Sequence, residues 1–315
     1  GTTYTYRAFA NDTLNNTATA GTRTITIDTT APTVSLVSPT PANNTYAVNY
    51  VFVNATASDA TRNIDGCTLE WNGANETMTM NSSVAGNDRF CWVNKTSLSN
   101  ANYTYRVFSN DTAGNSRASA TRHAFVDTTA PTITFNTPTP ANGTYAVNYA
   151  YVNVTVTDAS NIIDTCTLEW NGVNESMTKN SSVNGVSRFC FVNKTSLSDG
   201  NFTYRVFVND SLNNTAADSR HFFSDDTAPT VTYVSPSDVS GANVSRTFTF
   251  INITASDASI NIANCILEWN GANETMTMNS SVVGNDRFCW VNKTSLSDGT
   301  TYTYRAFAND TLNNT

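Results

Sequence analysis

Histidine occurs only twice in the 315 residues, and charged side chains make up only 13% of them. The 17 lysines and arginines are scattered, so no basic cluster exists to neutralise a phosphate backbone, and a nucleic-acid partner is excluded. No run approaches the roughly 18–20 apolar residues of a membrane-spanning helix, so no membrane span is expected in this segment. No stretch repeats apolar residues at the 3.6-residue helical period either. Glycine-rich phosphate loops, nucleophile elbows and metal-protease helices are all missing. The two histidines, His123 and His221, fall at equivalent places of one expected strand, and Thr24 holds the matching place earlier in the chain. Their outward-facing placement there is unremarkable, so the reading is non-enzymatic.

What the chain has instead is repetition. Cys67, Cys166 and Cys265 recur at 98 to 100 residues, as do Cys91, Cys190 and Cys289, and Tyr6, Tyr105, Tyr204 and Tyr304. Gly1–Thr17 reappears letter for letter as Gly299–Thr315, which reads as a window on a longer array with a three-domain super-repeat. The expected organisation is residues 1–29 as the end of one domain, then domains at 30–128 and 129–226. Residues 227–315 would form a further domain without its last strand. A unit of this size can bury its own core.

Short β-branched and aromatic runs punctuated by Gly, Pro, Asn and Asp are the grammar of an all-β protein. In the first whole unit the strands expected are Thr33–Ser38, Tyr50–Ala57, Cys67–Trp71, Glu76–Met80, Arg89–Asn94, Tyr103–Asn110 and Ala118–Val126. Asn72-Gly73-Ala74-Asn75 has the composition of a hairpin turn. Alternation sends Val51, Val53, Ala55 and Ala57 inward and Phe52, Asn54 and Thr56 outward, and sets Cys67, Leu69 and Trp71 on one face. Seven strands per unit match a tandem array of seven-stranded β-sandwiches.

The cysteines come two per unit and 24 residues apart. A zinc site would need four close ligands, which no unit supplies. One disulfide per unit, Cys67–Cys91, Cys166–Cys190 and Cys265–Cys289, fits better than a pair of buried thiols and implies an oxidising, extracellular setting.

Leu296-Ser-Asp-Gly299-Thr300-Thr-Tyr302-Thr-Tyr304 resembles the strand-F entry of fibronectin type III domains. The resemblance would make Tyr302, Tyr103 and Tyr4 tyrosine-corner residues, while Phe202 lacks the hydroxyl. Thr-Ala-Pro-Thr at Thr30–Thr33, Thr129–Thr132 and Thr227–Thr230 resembles the junction opening many prokaryotic immunoglobulin-like repeats of surface adhesins and filaments, with an archaeal surface protein the preferred source. Against the usual inter-sheet bridge of such sandwiches, the cysteine pair joins the third and fifth strands. The proline of each junction favours a short, extended connection.

Sequons are abundant, at 24 Asn-x-Ser/Thr triplets or roughly twice what composition would give. The glycosylation candidates are Asn11, Asn54, Asn75, Asn81, Asn94, Asn110, Asn153, Asn174, Asn180, Asn193, Asn209, Asn252, Asn273, Asn279, Asn292 and Asn309. Three aligned classes carry an aromatic two residues before the Asn: Phe52, Tyr151 and Phe250; Trp92, Phe191 and Trp290; Phe9, Phe108, Phe207 and Phe307. On a strand that ring shares a face with the Asn, and a covalent N-glycan would cover it. The alternative is that these rings belong to the core and that the triplets follow from Asn-Thr richness.

Asp28, Asp127 and Asp225 stand before the three junctions, and Asp59, Asp158 and Asp257 end the second expected strand. Carboxylates on both sides of a junction are weak calcium candidates; turn formation is the alternative. No other cofactor is expected. The function expected is a structural, heavily N-glycosylated extracellular stalk or filament, its partners neighbouring repeats or copies of itself. The alternative is an adhesin whose repeats bind cell-surface carbohydrate or a partner surface directly.

Overall fold

The computed structural model describes residues 1–81, 87–159, 163–180, 187–279 and 284–315, and they are strands and loops without helix. The chain forms two compact units: Gly1–Ala130 with Asp158–Ile162 and Asp210–Asn214, and Pro131–Thr157 with Ile163–Asn209 and Thr215–Thr315.

The first unit opens with two ribbons, Thr2–Tyr6 paired with Arg23–Ile27 and Phe9–Asn11 paired with Thr17–Thr19. A β-sandwich follows. One sheet runs in the order Thr79–Met80, Arg89–Lys95, Val51–Ser58, Thr33–Val37. The facing sheet runs Asn44–Tyr46, Arg122–Val126, Ala101–Asp111, Ile64–Trp71, Ala74–Thr77, with Ser116–Ala118 also on Ala101–Asp111. Its core is what the alternation calls for: Val51, Val53, Ala55, Ala57, Cys67, Leu69 and Trp71 are all buried. Trp71 stacks between Tyr103 and Tyr105 at ring distances of 5.1 and 5.5 Å. The second unit holds two further sandwiches with separate cores, centred on Val152, Leu168 and Val206, and on Ile251, Ile253 and Leu267.

Local chemistry explains the turns. Asn72 and Gly73 both take positive φ, 49° and 82°, between the paired Trp71 and Ala74, the geometry a two-residue hairpin requires. The Asn72 side-chain oxygen accepts the Thr104 N–H at 2.8 Å and ties the hairpin to its neighbour strand. Tyr103 donates its hydroxyl to the Ser99 carbonyl at 2.9 Å, a tyrosine corner. Tyr302 instead accepts the Ser297 N–H at 3.0 Å, and Phe202 replaces the bond with packing on Trp170 and Phe222. Tyr4 is 56% exposed.

The strand expected at Glu76–Met80 is two, Ala74–Thr77 on one sheet and Thr79–Met80 on the other, and Ala118–Val126 is broken into Ser116–Ala118 and Arg122–Val126. Three further details differ from the sequence reading. Asn44–Tyr46 is a strand, added parallel to Arg122–Val126, although its three residues carry no periodic signal. Asn54 lies on the outer face as expected, yet it is only 7% exposed. Phe52 flanks it, Trp92 stands directly opposite, and the Thr40 hydroxyl bridges its backbone N–H and C=O. The cystine Cys67–Cys91 does cross between the two sheets, joining Ile64–Trp71 to Arg89–Lys95; Cys166–Cys190 and Cys265–Cys289 repeat it.

Candidate functional site

Each repeat brings three aspartates from distant segments to one point. Asp28 follows the strand Arg23–Ile27, Asp59 follows Val51–Ser58, and Asp111 ends Ala101–Asp111; one carboxylate oxygen of each lies within 4.8 Å of the others. Asp127, Asp158 and Asp210 form the second such group, and Asp225, Asp257 and Asp310 the third. The first of each trio ends one repeat, and the other two belong to the next. Sequence reasoning found the first two of each trio and missed Asp111, Asp210 and Asp310. Their signal was available: each is the middle residue of an aligned Asn-Asp-Thr/Ser triplet.

The backbone fixes these carboxylates in part. The Asp59 Oδ1 accepts the N–H groups of Thr61 and Arg62 at 2.7 and 2.8 Å, and Asp257 does the same for Ser259 and Ile260. Asp111 accepts the Ala113 and Asn115 N–H groups, and the Asn115 amide reaches both its Oδ2, at 3.0 Å, and the Asp28 carbonyl, at 3.1 Å. Asn214 and Asn314 repeat this clasp onto the carbonyls of Asp127 and Asp225. The second oxygens of Asp28, Asp59, Asp225 and Asp257 are buried and have no hydrogen-bond partner. Asp59 is 6% exposed, Asp257 7% and Asp225 fully buried. A buried carboxylate oxygen without a donor is costly, and three carboxylates at one point repel. Burial, with the charges of Asp257, Asp199 and Asp310, pushes the Asp225 carboxyl up to about 6. At Asp111 burial acts upward, but the hydrogen bonds from Asn115 and Ala113 outweigh it and hold the group below the usual carboxylate range. These oxygen-only trios have the ligand chemistry a hard divalent cation would need.

The sequons fall into distinct environments. Asn94, Asn193 and Asn292 are exposed at the ends of their strands, as are Asn75, Asn174 and Asn273 in the hairpins and Asn11 in its ribbon. Asn153 and Asn252 are half-buried, unlike Asn54. Asn81, Asn180 and Asn279 each accept a backbone N–H, from Phe90, Phe189 and Phe288; the hydroxyl residues of their triplets, Ser83, Ser182 and Ser281, lie outside the described residues. Asn110 donates to Asp65, Asn309 donates to Asn313, and Asn209 accepts from Thr165. In that class the ring is already covered. Arg7, Arg106, Arg205 and Arg305 hold their guanidinium groups 4.6, 4.7, 4.5 and 4.8 Å over Phe9, Phe108, Phe207 and Phe307. His123 and His221 are exposed, and their backbone N–H groups bond to Asn43 and Asn142.

Tandem sandwiches stapled by cystines define the chain as an array of immunoglobulin-like domains, a class of structural and adhesive modules. The sequence profile described as Bacterial Ig-like domain (group 3) matches residues 1–117 and 186–315, and the chain belongs to that family. No curated protein matches it. Among solved structures, it is similar to the fibronectin(III)-like modules of Clostridium thermocellum CbhA, at 14% identity over 61% of this chain and 94% of that one, with a TM-score of 0.31. It is also similar to part of a 1.5-MDa bacterial ice-binding adhesin, at 18% identity over 90% and 98% of the two chains and a TM-score of 0.33. Titin domains A168–A170 give 12% identity over 90% and 94%, with a TM-score of 0.35. These are likenesses of fold alone.

Proposed function

We propose that this chain is a stretch of an extracellular spacer or stalk whose successive immunoglobulin-like repeats are tied end to end by calcium. The observation that carries the reading is the aspartate trio, present three times and each time drawing one carboxylate from a repeat and two from the next. A purely mechanical repeat needs the same joint at every copy, and near-identical trios supply it. Calcium takes six to eight oxygens in flexible geometry. Each trio would offer one carboxylate oxygen from each of its three aspartates, with water or backbone carbonyls completing the shell. The bound ion would cancel the repulsion among the carboxylates, and in the first and third trios it would satisfy the unpartnered second oxygens of Asp28, Asp59, Asp225 and Asp257.

The cystines agree with an extracellular or surface setting. The test uses the whole chain: calorimetric titration with calcium, and small-angle scattering with calcium and with chelator. Saturable binding near three ions per chain, with a longer maximum dimension in calcium, is the expected result. Unchanged dimensions in both conditions would remove the spacer reading, and no heat of binding would remove the cation.

A further inference from the structure

The outer face of the sheet containing Val51–Ser58 and Arg89–Lys95 keeps large rings in solvent. Tyr50 is 48% exposed and Phe52 37%, and Tyr149 at the next repeat is 51% exposed. The register sets a sequon beside them: Phe52 lies directly opposite Asn94, and Tyr151 directly opposite Asn193. Directly opposed residues of an antiparallel pair bring their Cβ atoms to about 4.5–5.5 Å. In the first sandwich Tyr46, Tyr50, Phe52, Asn94 and Thr96 line a cleft of about 710 Å³ with Pro39. That lies within the range of about 300–1,000 Å³ over which proteins enclose small ligands. The matching positions of the next repeat are Pro138, Tyr145, Tyr149, Tyr151, Asn193 and Thr195, with tyrosine standing where the first has Phe52.

The acceptor triplet is presented rather than buried. Asn94 and Thr96 are exposed, while Lys95 between them turns to the other side and pairs with Glu76 at 3.0 Å. Ser97 then takes a positive φ of 55°, and the Leu98 N–H bonds to the Asn49 carbonyl at 2.9 Å, which turns the chain away from the triplet. Ser196 and Leu197 repeat this, with a φ of 56° and a 2.8 Å bond to Asn148. The other ring-bearing classes differ, since Asn54 is covered, Asn153 is half-buried, and Phe108 and Phe207 already lie under arginine.

We propose that Asn94 and Asn193 carry N-linked saccharides, and that the first sugar of each folds back onto Tyr50 and Phe52, or Tyr149 and Tyr151. The attaching step joins the Asn Nδ2 to the anomeric carbon of a polyprenyl-phosphate-linked saccharide. The C1–O bond of that donor breaks, the polyprenyl phosphate leaves with the bonding pair, and the amide loses one proton. Once attached, the apolar face of the sugar removes ring surface from water, while its hydroxyls stay at the mouth of the cleft. The third repeat is built differently. Phe248 replaces the tyrosine, and Arg246, paired with Asp238, stands 5.6 Å over its ring. A saccharide on Asn292 would therefore lie over an arginine-capped ring. This inference goes beyond the spacer reading and does not depend on the calcium sites.

The test is glycopeptide mass spectrometry on protein from its own host. Peptides spanning Asn94 and Asn193 should carry saccharide mass, and bare peptides at both would overturn the proposal. Packing is read from thermal melts before and after enzymatic removal of the saccharide, in the native chain and in Tyr50→Ser/Phe52→Ser/Tyr149→Ser/Tyr151→Ser. Removal should lower the native Tm on the order of 2–4 °C and leave the variant unmoved. Equal losses in both would overturn the packing, and so would a native Tm that does not change.

Discussion

Asp257 spends one carboxylate oxygen on the Ser259 and Ile260 N–H groups and leaves the other buried with no donor. Asparagine there keeps an oxygen for the two N–H groups but brings no charge. Asp59→Asn/Asp158→Asn/Asp257→Asn should therefore melt at or above the native temperature in chelator, because repulsion is relieved. It should also lose the calcium-dependent rise, which for calcium at a hundredfold its Kd is about 2.7 kcal/mol per site. Differential scanning calorimetry with and without calcium checks both signs. Tyr105 and Tyr204 provide a second prediction. Burial pushes both hydroxyls up to about 12 from an ordinary 10. The neutral phenols donate to the carbonyls of Pro41 and Pro140. Stability from this pair is whole below pH 10 and declines as pH rises from 10 through 12, on the order of 2 kcal/mol per tyrosine. Urea melts across that range should fall less steeply in Tyr105→Phe/Tyr204→Phe. Much of the aspartate site was legible: the residues before each junction and after the second strand stand out at a constant period. Asp111, Asp210 and Asp310 did not, because each reads as the middle residue of a sequon at a strand end, and only the fold brings the distant segments together.

Along single strands, alternation predicted the core residue by residue, because each strand of the four-stranded sheet buries one face only. It could not foresee that Trp92, across the register, would cover Asn54. Cross-strand partners are absent from a one-dimensional pattern, as is the parallel pairing of Asn44–Tyr46. The strand-to-strand cystine also gives a measurable quantity. Cys67–Cys91 closes a loop of sequence separation 24 between the sheets. Its removal by Cys67→Ala/Cys91→Ala should cost about 3 kcal/mol through the unfolded chain. Chemical denaturation should show a lower midpoint for the affected sandwich and no change in the other two.

Across the molecule, three separate cores mean that unfolding is not one event. Scanning calorimetry should give a calorimetric enthalpy well above the van't Hoff value. The third sandwich should melt first. Its second sheet has three strands among the described residues, against five in the preceding sandwich, and Tyr304 is only half-buried where Tyr204 is fully buried. Calcium should raise the transitions together if the trios tie neighbouring repeats.

The clasp from Asn115 to the Asp28 carbonyl bears on where one repeat can be separated from the next. Thr30 looks like the start of a module, since the proline junction is the visible seam. A fragment begun there would keep Asp59, Asp111 and Asn115 but lose the carboxylate and carbonyl they close upon. The self-contained piece starts upstream, within Arg23–Ile27. Each copy borrows its first lines from the copy before it, so the smallest faithful fragment is one repeat plus the tail of its predecessor.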